Sequence, residues 1–163
     1  MFEKFSQEQL DRAEKLVFAA QAYSITSFGP MLERFPEMRF IPESGLLESW
    51  DYLIAVTAVG TAFMAIMDTL PEKDHQGMPY AVEYALNHWK VNAYSTMIDF
   101  LNHFNKLNDL NIEVAEAIGD YVWSELENNP KANTDLKEFA SSRKLARTTG
   151  TSILVTFFNW WKS

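Results

Sequence analysis

A chain of 163 residues suffices for one domain with a genuine core. Its 47% apolar content, with five Trp, six Tyr and twelve Phe, excludes wholesale disorder. It has no cysteine, which removes disulfides, thiol catalysis and Cys-based zinc sites. The net charge of −8 is unevenly placed. Residues 1–130 hold 8 basic against 20 acidic side chains, a net of −12, and residues 131–163 hold 6 against 2, a net of +4. An acidic body disfavours nucleic acid, whose binding draws its affinity from basic residues. It suits a basic protein partner, which it would steer, although acidity for solubility and a basic tail packed on an acidic body account for the same numbers.

Met1 to Leu10 lacks the basic start and apolar run of a secretory signal, which points to a cytoplasmic protein. Ser6-Gln7-Glu8-Gln9 is a capping box, and Leu10, Ala13, Val17, Ala20 and Ser24 then recur at helical spacing, so helix one starts at Ser6 and ends at Gly29-Pro30. From Gly29 to Gly45 the chain carries Pro30, Pro36 and Pro42, and no long helix is expected through it. That connection also holds Met31, Leu32, Phe35, Met38, Phe40 and Ile41, so it is expected to pack across the bundle with a short helical turn.

Helix two is predicted from about Ser44 to Leu70, apolar on two faces and therefore central. Tyr52 to Met67 is its uncharged core. At about 1.5 Å per residue these residues reach roughly 24 Å, short of a hydrocarbon layer, and no membrane span is predicted. Pro79 sits at a first helical position, and helix three runs from there to about Leu107. Helix four covers Ile112 to Glu127, with Asn111 as cap and Gly119 as a weak point. Asn128-Asn129-Pro130 ends it. Helix five runs from Asn133 or Thr134 to the aromatic end. No strand pattern, repeat or internal boundary competes. The expected fold is therefore all-α: a single domain over 1–163, a bundle of about five main helices with a long Pro-containing connection between helices one and two.

Chemistry has few carriers. His88, Asn92, Ser95, Asp99, His103 and Lys106 follow helical spacing and form one polar stripe on helix three. It is either a ligand or proton-transfer groove or the face that helix three turns to water. Asp99 and His103, one turn apart, could share an ion, whereas His88 stands eleven residues before Asp99, about 16 Å along the axis. Paired Glu-x-x-His signatures, zinc-protease and EF-hand patterns are absent, as are nucleophile elbows and phosphate-binding glycine loops. No metal and no catalytic residue is assigned, and the pattern names no cofactor. Arg143 falls on the apolar face of helix five and calls for a carboxylate partner or a place at the stripe's edge. With Lys144 and Arg147 it forms a small basic cluster. Phe158, Trp160 and Trp161 place aromatics on more than one face of the last turns, as a cap on the bundle or as anchors for a homodimer or another partner.

Two functions fit these features. The first is an acidic helical protein-binding factor, of adaptor, inhibitor or immunity type, acting through its surface on a basic partner without catalysis. The alternative is a bundle that encloses a small apolar ligand, cofactor or metal, with His88, Asp99, His103 and Arg143 as candidate contacts.

Overall fold

The computed structural model describes residues 4–140 and 142–163. Among these the chain is all-α, with nine α-helices: α1 (Gln7–Arg34), α2 (Phe40–Glu43), α3 (Leu47–Met64), α4 (Ile66–Thr69), α5 (Gly77–Trp89), α6 (Ala93–Asp109), α7 (Val114–Glu127), α8 (Thr134–Ala140) and α9 (Arg143–Phe157). Short 3-10 turns lie at Pro36–Arg39, Glu72–Asp74 and Trp160–Lys162. The helical class stands, and the count of about five main helices does not. Three of the long predicted helices are interrupted, and one runs further than its sequence suggests.

Helix α1 opens with the predicted box. The Gln9 backbone N–H donates to Ser6 Oγ at 3.1 Å, and the Ser6 N–H donates to Gln9 Oε1 at 2.9 Å. It does not stop at Gly29-Pro30 but continues through Pro30 to Arg34. One backbone bond is lost at the proline, and burial offsets it. Phe28 and Met31 flank Pro30 in the core, and the Phe28 ring meets Trp50 edge-on at 5.8 Å. The connection to α3 packs as expected, with Met38 and Ile41 wholly buried.

Predicted helix two breaks at Ala65, and predicted helix three breaks between α5 and α6. At that second break Lys90 is extended (φ −143°) and Asn92 is left-handed (φ 67°), a conformation asparagine tolerates better than most residues. The Tyr94 N–H donates to Asn87 Oδ1 at 3.2 Å, which holds the turn. Predicted helix five divides between α8 and α9, where Ser142 caps α9 by accepting from the Leu145 N–H at 3.3 Å. The second and third of these breaks fall at short polar residues, Asn92 and Ser142, that pass as helical in a periodicity count.

One contiguous core runs through the molecule, with α3 at its centre. All ten positions from Leu53 to Ala62, together with Trp50, are buried. Gly60 lets α6 lie close, since a Cβ there would stand 2.6 Å from the Phe100 ring. The tightest seam joins α7 and α9, which run antiparallel. A Cβ on Gly119 would lie 1.8 Å from the Ala146 carbonyl oxygen, and one on Gly150 would lie 1.6 Å from that of Ala115. Small residues one turn apart on both helices therefore bring backbone against backbone. The indole N–H groups are satisfied inside: Trp50 donates to Ser27 Oγ at 3.1 Å, Trp123 to Thr149 Oγ1 at 3.0 Å and Trp161 to the Ala62 carbonyl at 2.8 Å. Among the described residues no helix is long and apolar enough to cross a membrane.

Candidate functional site: an acidic, aromatic cleft

The polar stripe predicted on one helix is dismantled by the break at Asn92. His88 stays on α5, exposed and stacked on Tyr84 with ring centroids 6.1 Å apart. His103, on α6, turns to α7, where its Nε2–H donates to Asp120 Oδ2 at 2.7 Å. Asp99 faces neither histidine and lines a cleft instead. His88, Asp99 and His103 therefore do not converge on one ligand. Among the described residues no group of three or more His, Asp or Glu side chains is placed to hold a metal ion.

Ser124 Oγ donates to the same Asp120 oxygen at 3.2 Å, so serine, aspartate and histidine do meet. Their order is wrong for nucleophile activation. In a triad the imidazole lies between hydroxyl and carboxylate and takes the hydroxyl proton. Here the carboxylate lies between and accepts from both, which ties α6 to α7 and leaves the serine without a base.

Arg143 finds the carboxylate that its position demands. It begins α9, where its Nε donates to Glu116 Oε1 at 3.1 Å; Arg147 approaches Glu116 at 3.5 Å and Glu113 at 3.4 Å. Glu116 is buried, with 8% of its side chain exposed, while the Arg143 side chain is 75% exposed. The cluster thus neutralises a buried acid along the α7–α9 seam. Of the terminal aromatics, Trp161 cannot act as an exposed anchor. It is 3% exposed and fixed by its indole bond, and Arg12 donates to its carbonyl at 2.7 Å. Phe158 and Trp160 are half-buried. Together these residues cap the bundle.

The cleft that holds Asp99 encloses about 600 Å³ between α1, α3, the α5–α6 turn and α7. Among the described residues four carboxylates line it, Glu48 and Asp51 from α3, Asp99 from α6 and Glu125 from α7, against a single cation, Lys90. Tyr52 and Trp89 form one wall, stacked with centroids 5.8 Å apart and planes 27° apart. Tyr121 lies deeper, and the exposed Ile25 of α1 forms part of the rim. Withdrawal from water, with Glu48 nearby, holds the Asp51 carboxyl above its ordinary range.

The hydroxyls of Tyr52, Thr96 and Tyr121 are already committed. Tyr121 Oη donates to the Thr96 carbonyl at 3.3 Å. Burial, followed by the charges of Glu125 and Asp99, pushes that phenol up and keeps it protonated. Thr96 Oγ1 donates to the Asn92 carbonyl at 3.2 Å, so it accepts from Tyr52 Oη at 2.9 Å. Apart from Lys90, what these charged and aromatic side chains offer a visitor is negative charge and π-faces, the two features that attract a cation.

Comparison with known proteins finds no matching family, no matching curated protein and no matching solved structure. The cleft is thus read from its own chemistry.

Glu48, Asp51, Tyr52, Trp89, Tyr121 and Glu125 escaped the sequence pattern, although Asp99 did not. Glu48, Asp51 and Tyr52 share an i, i+3, i+4 spacing that marks one face of α3. Nothing local says that this face meets Trp89 and Glu125 from other helices.

Proposed function

We propose that this protein is an acidic helical binding factor that captures a basic segment of a partner protein in the α1–α3–α6–α7 cleft and performs no reaction. One observation carries the proposal: four carboxylates and a stacked Tyr52–Trp89 pair converge on a cavity of about 600 Å³. A lysine or arginine side chain entering there meets charge and aromatic surface together, and both attract a cation. The surrounding net charge of −12 over residues 1–130 raises the encounter rate of a basic partner. Ile25, 70% exposed at the rim, adds an apolar contact beside the charges. Self-association through the aromatic end has less surface to work with, because Trp161 is in the core.

An oligo-lysine peptide serves as the probe, with oligo-glutamate as its control. At physiological salt the protein should bind the first and not the second. The triple variant Glu48→Lys, Asp99→Lys, Glu125→Lys reverses three exposed charges. It should lose binding with an unchanged melting temperature. Equal binding by the folded triple variant would overturn the proposal.

A further inference from the structure

A second cleft, of about 670 Å³, lies on the other flank of α1, between that helix, α3 and α9. Its floor is apolar, made by Met31, Trp50 and Ile54, and no carboxylate is among its lining residues. Two guanidiniums line it, Arg34 from α1 and Arg147 from α9. Arg147 leans toward the α7 carboxylates. Arg34 has no carboxylate among the described residues within salt-bridge distance, and its guanidinium carbon lies 5.8 Å from the centroid of the Phe35 ring.

The threonine hydroxyls of this cleft are spent on their own helices, while Tyr23 Oη and Ser152 Oγ bond to each other across α1 and α9. Thr26 Oγ1 donates to the Ala22 carbonyl at 3.2 Å, Thr148 Oγ1 to that of Lys144 at 2.8 Å and Thr151 Oγ1 to that of Arg147 at 2.7 Å. Arg34 is thus the guanidinium left without a carboxylate, Arg147 being shared with Glu113 and Glu116, and Tyr23, Pro30 and Met31 present accessible apolar surface beside it. A fork of N–H groups matches a carboxylate, and a cavity of this size is in the range of small-molecule sites, roughly 300–1,000 Å³. We infer that the α1–α3–α9 cleft binds a small amphipathic carboxylate, its head on Arg34 and its apolar body along Tyr23, Pro30 and Met31. This site stands on different residues from the acidic cleft and does not depend on partner capture there.

Calorimetric titration of the full chain with decanoate, and with decanol as the uncharged counterpart, tests it. Decanoate should bind saturably at one site, and decanol about tenfold more weakly, as expected for loss of a charge-assisted contact. Arg34→Gln should weaken decanoate by a similar factor. Thr151→Trp should fill the cleft and abolish binding. Both positions are exposed, so the melting curves should be unchanged. The inference is overturned if no saturable binding is seen, if decanol binds as tightly as decanoate, or if folded Arg34→Gln and Thr151→Trp bind decanoate as the parent does.

Discussion

On one flank of α1 the cleft carries four carboxylates against one lysine, while on the other it carries two arginines and no carboxylate. The two share a wall and a floor. Ser24 and Ile25 look one way from α1 while Tyr23 and Ser27 look the other, and on α3 Asp51 and Trp50 divide likewise. Adjacent residues on a helix point about 100° apart, so a single helix can border two sites of opposite sign without a gradual transition between them. The overall net charge of −8 hides this. An average over the chain describes neither cleft.

Both clefts depend first on the α7–α9 seam, because α7 walls the acidic cleft and α9 the arginine cleft. Gly119→Ala and Gly150→Ala each place a methyl group against a backbone carbonyl that cannot move aside. The helices must separate, and each variant should lose roughly 3 kcal/mol in chemical denaturation, net of any gain in helix propensity. Binding at both clefts should suffer together. A variant that kept full stability would show that the seam is looser than described.

Next in size is the selective effect. Reversing Glu48, Asp99 and Glu125 should abolish oligo-lysine binding and leave decanoate binding within about twofold, since exposed charges a cleft apart are screened by salt. Loss of both would mean that the two sites are not separable.

The pH dependence is smaller. The Asp51 carboxyl is held above its ordinary range, first by burial and then by Glu48, so the folded chain holds its proton more tightly than the unfolded chain does. Stability from this group is present at low pH and is lost as pH rises through the raised range. A bound cation reverses the preference, so oligo-lysine affinity should rise through that same range, with proton release on binding. Asp51→Asn should raise the melting temperature slightly at neutral pH and flatten this part of the affinity profile. An unchanged profile would remove Asp51 from the site.

The smallest effect belongs to α3 beneath both clefts. Thr57 Oγ1 is buried without a hydrogen-bond partner among the described residues. Thr57→Val keeps the shape and removes the polar atom, which should stabilise the chain by about 1 kcal/mol in denaturant melts and leave both clefts untouched.

The helical class, the Ser6 capping box and the central place of α3 were legible in the sequence, because each depends on neighbours within a turn or on a long apolar pattern. The site was not. Asp99 was marked, but it was grouped with His88 and His103 because Asn92 fits a helical period as well as a left-handed turn. Only tertiary packing distinguishes those two roles for an asparagine. Arg143 was marked as needing an acid, yet Glu116 stands 27 residues earlier, beyond any local rule. The mutual approach of Gly119 and Gly150 was equally hidden. A glycine in a helix reads as weakness until its neighbour's backbone is known.

The central claim, capture of a basic segment in the acidic cleft, is tested most directly by following the indole N–H resonances of the five tryptophans while oligo-lysine is added. Trp89 lines the acidic cleft and Trp50 the other. Capture in the acidic cleft should shift the Trp89 signal saturably while Trp50 stays in place. A Trp89 signal that does not move, or a Trp50 signal that moves in its stead, would contradict it.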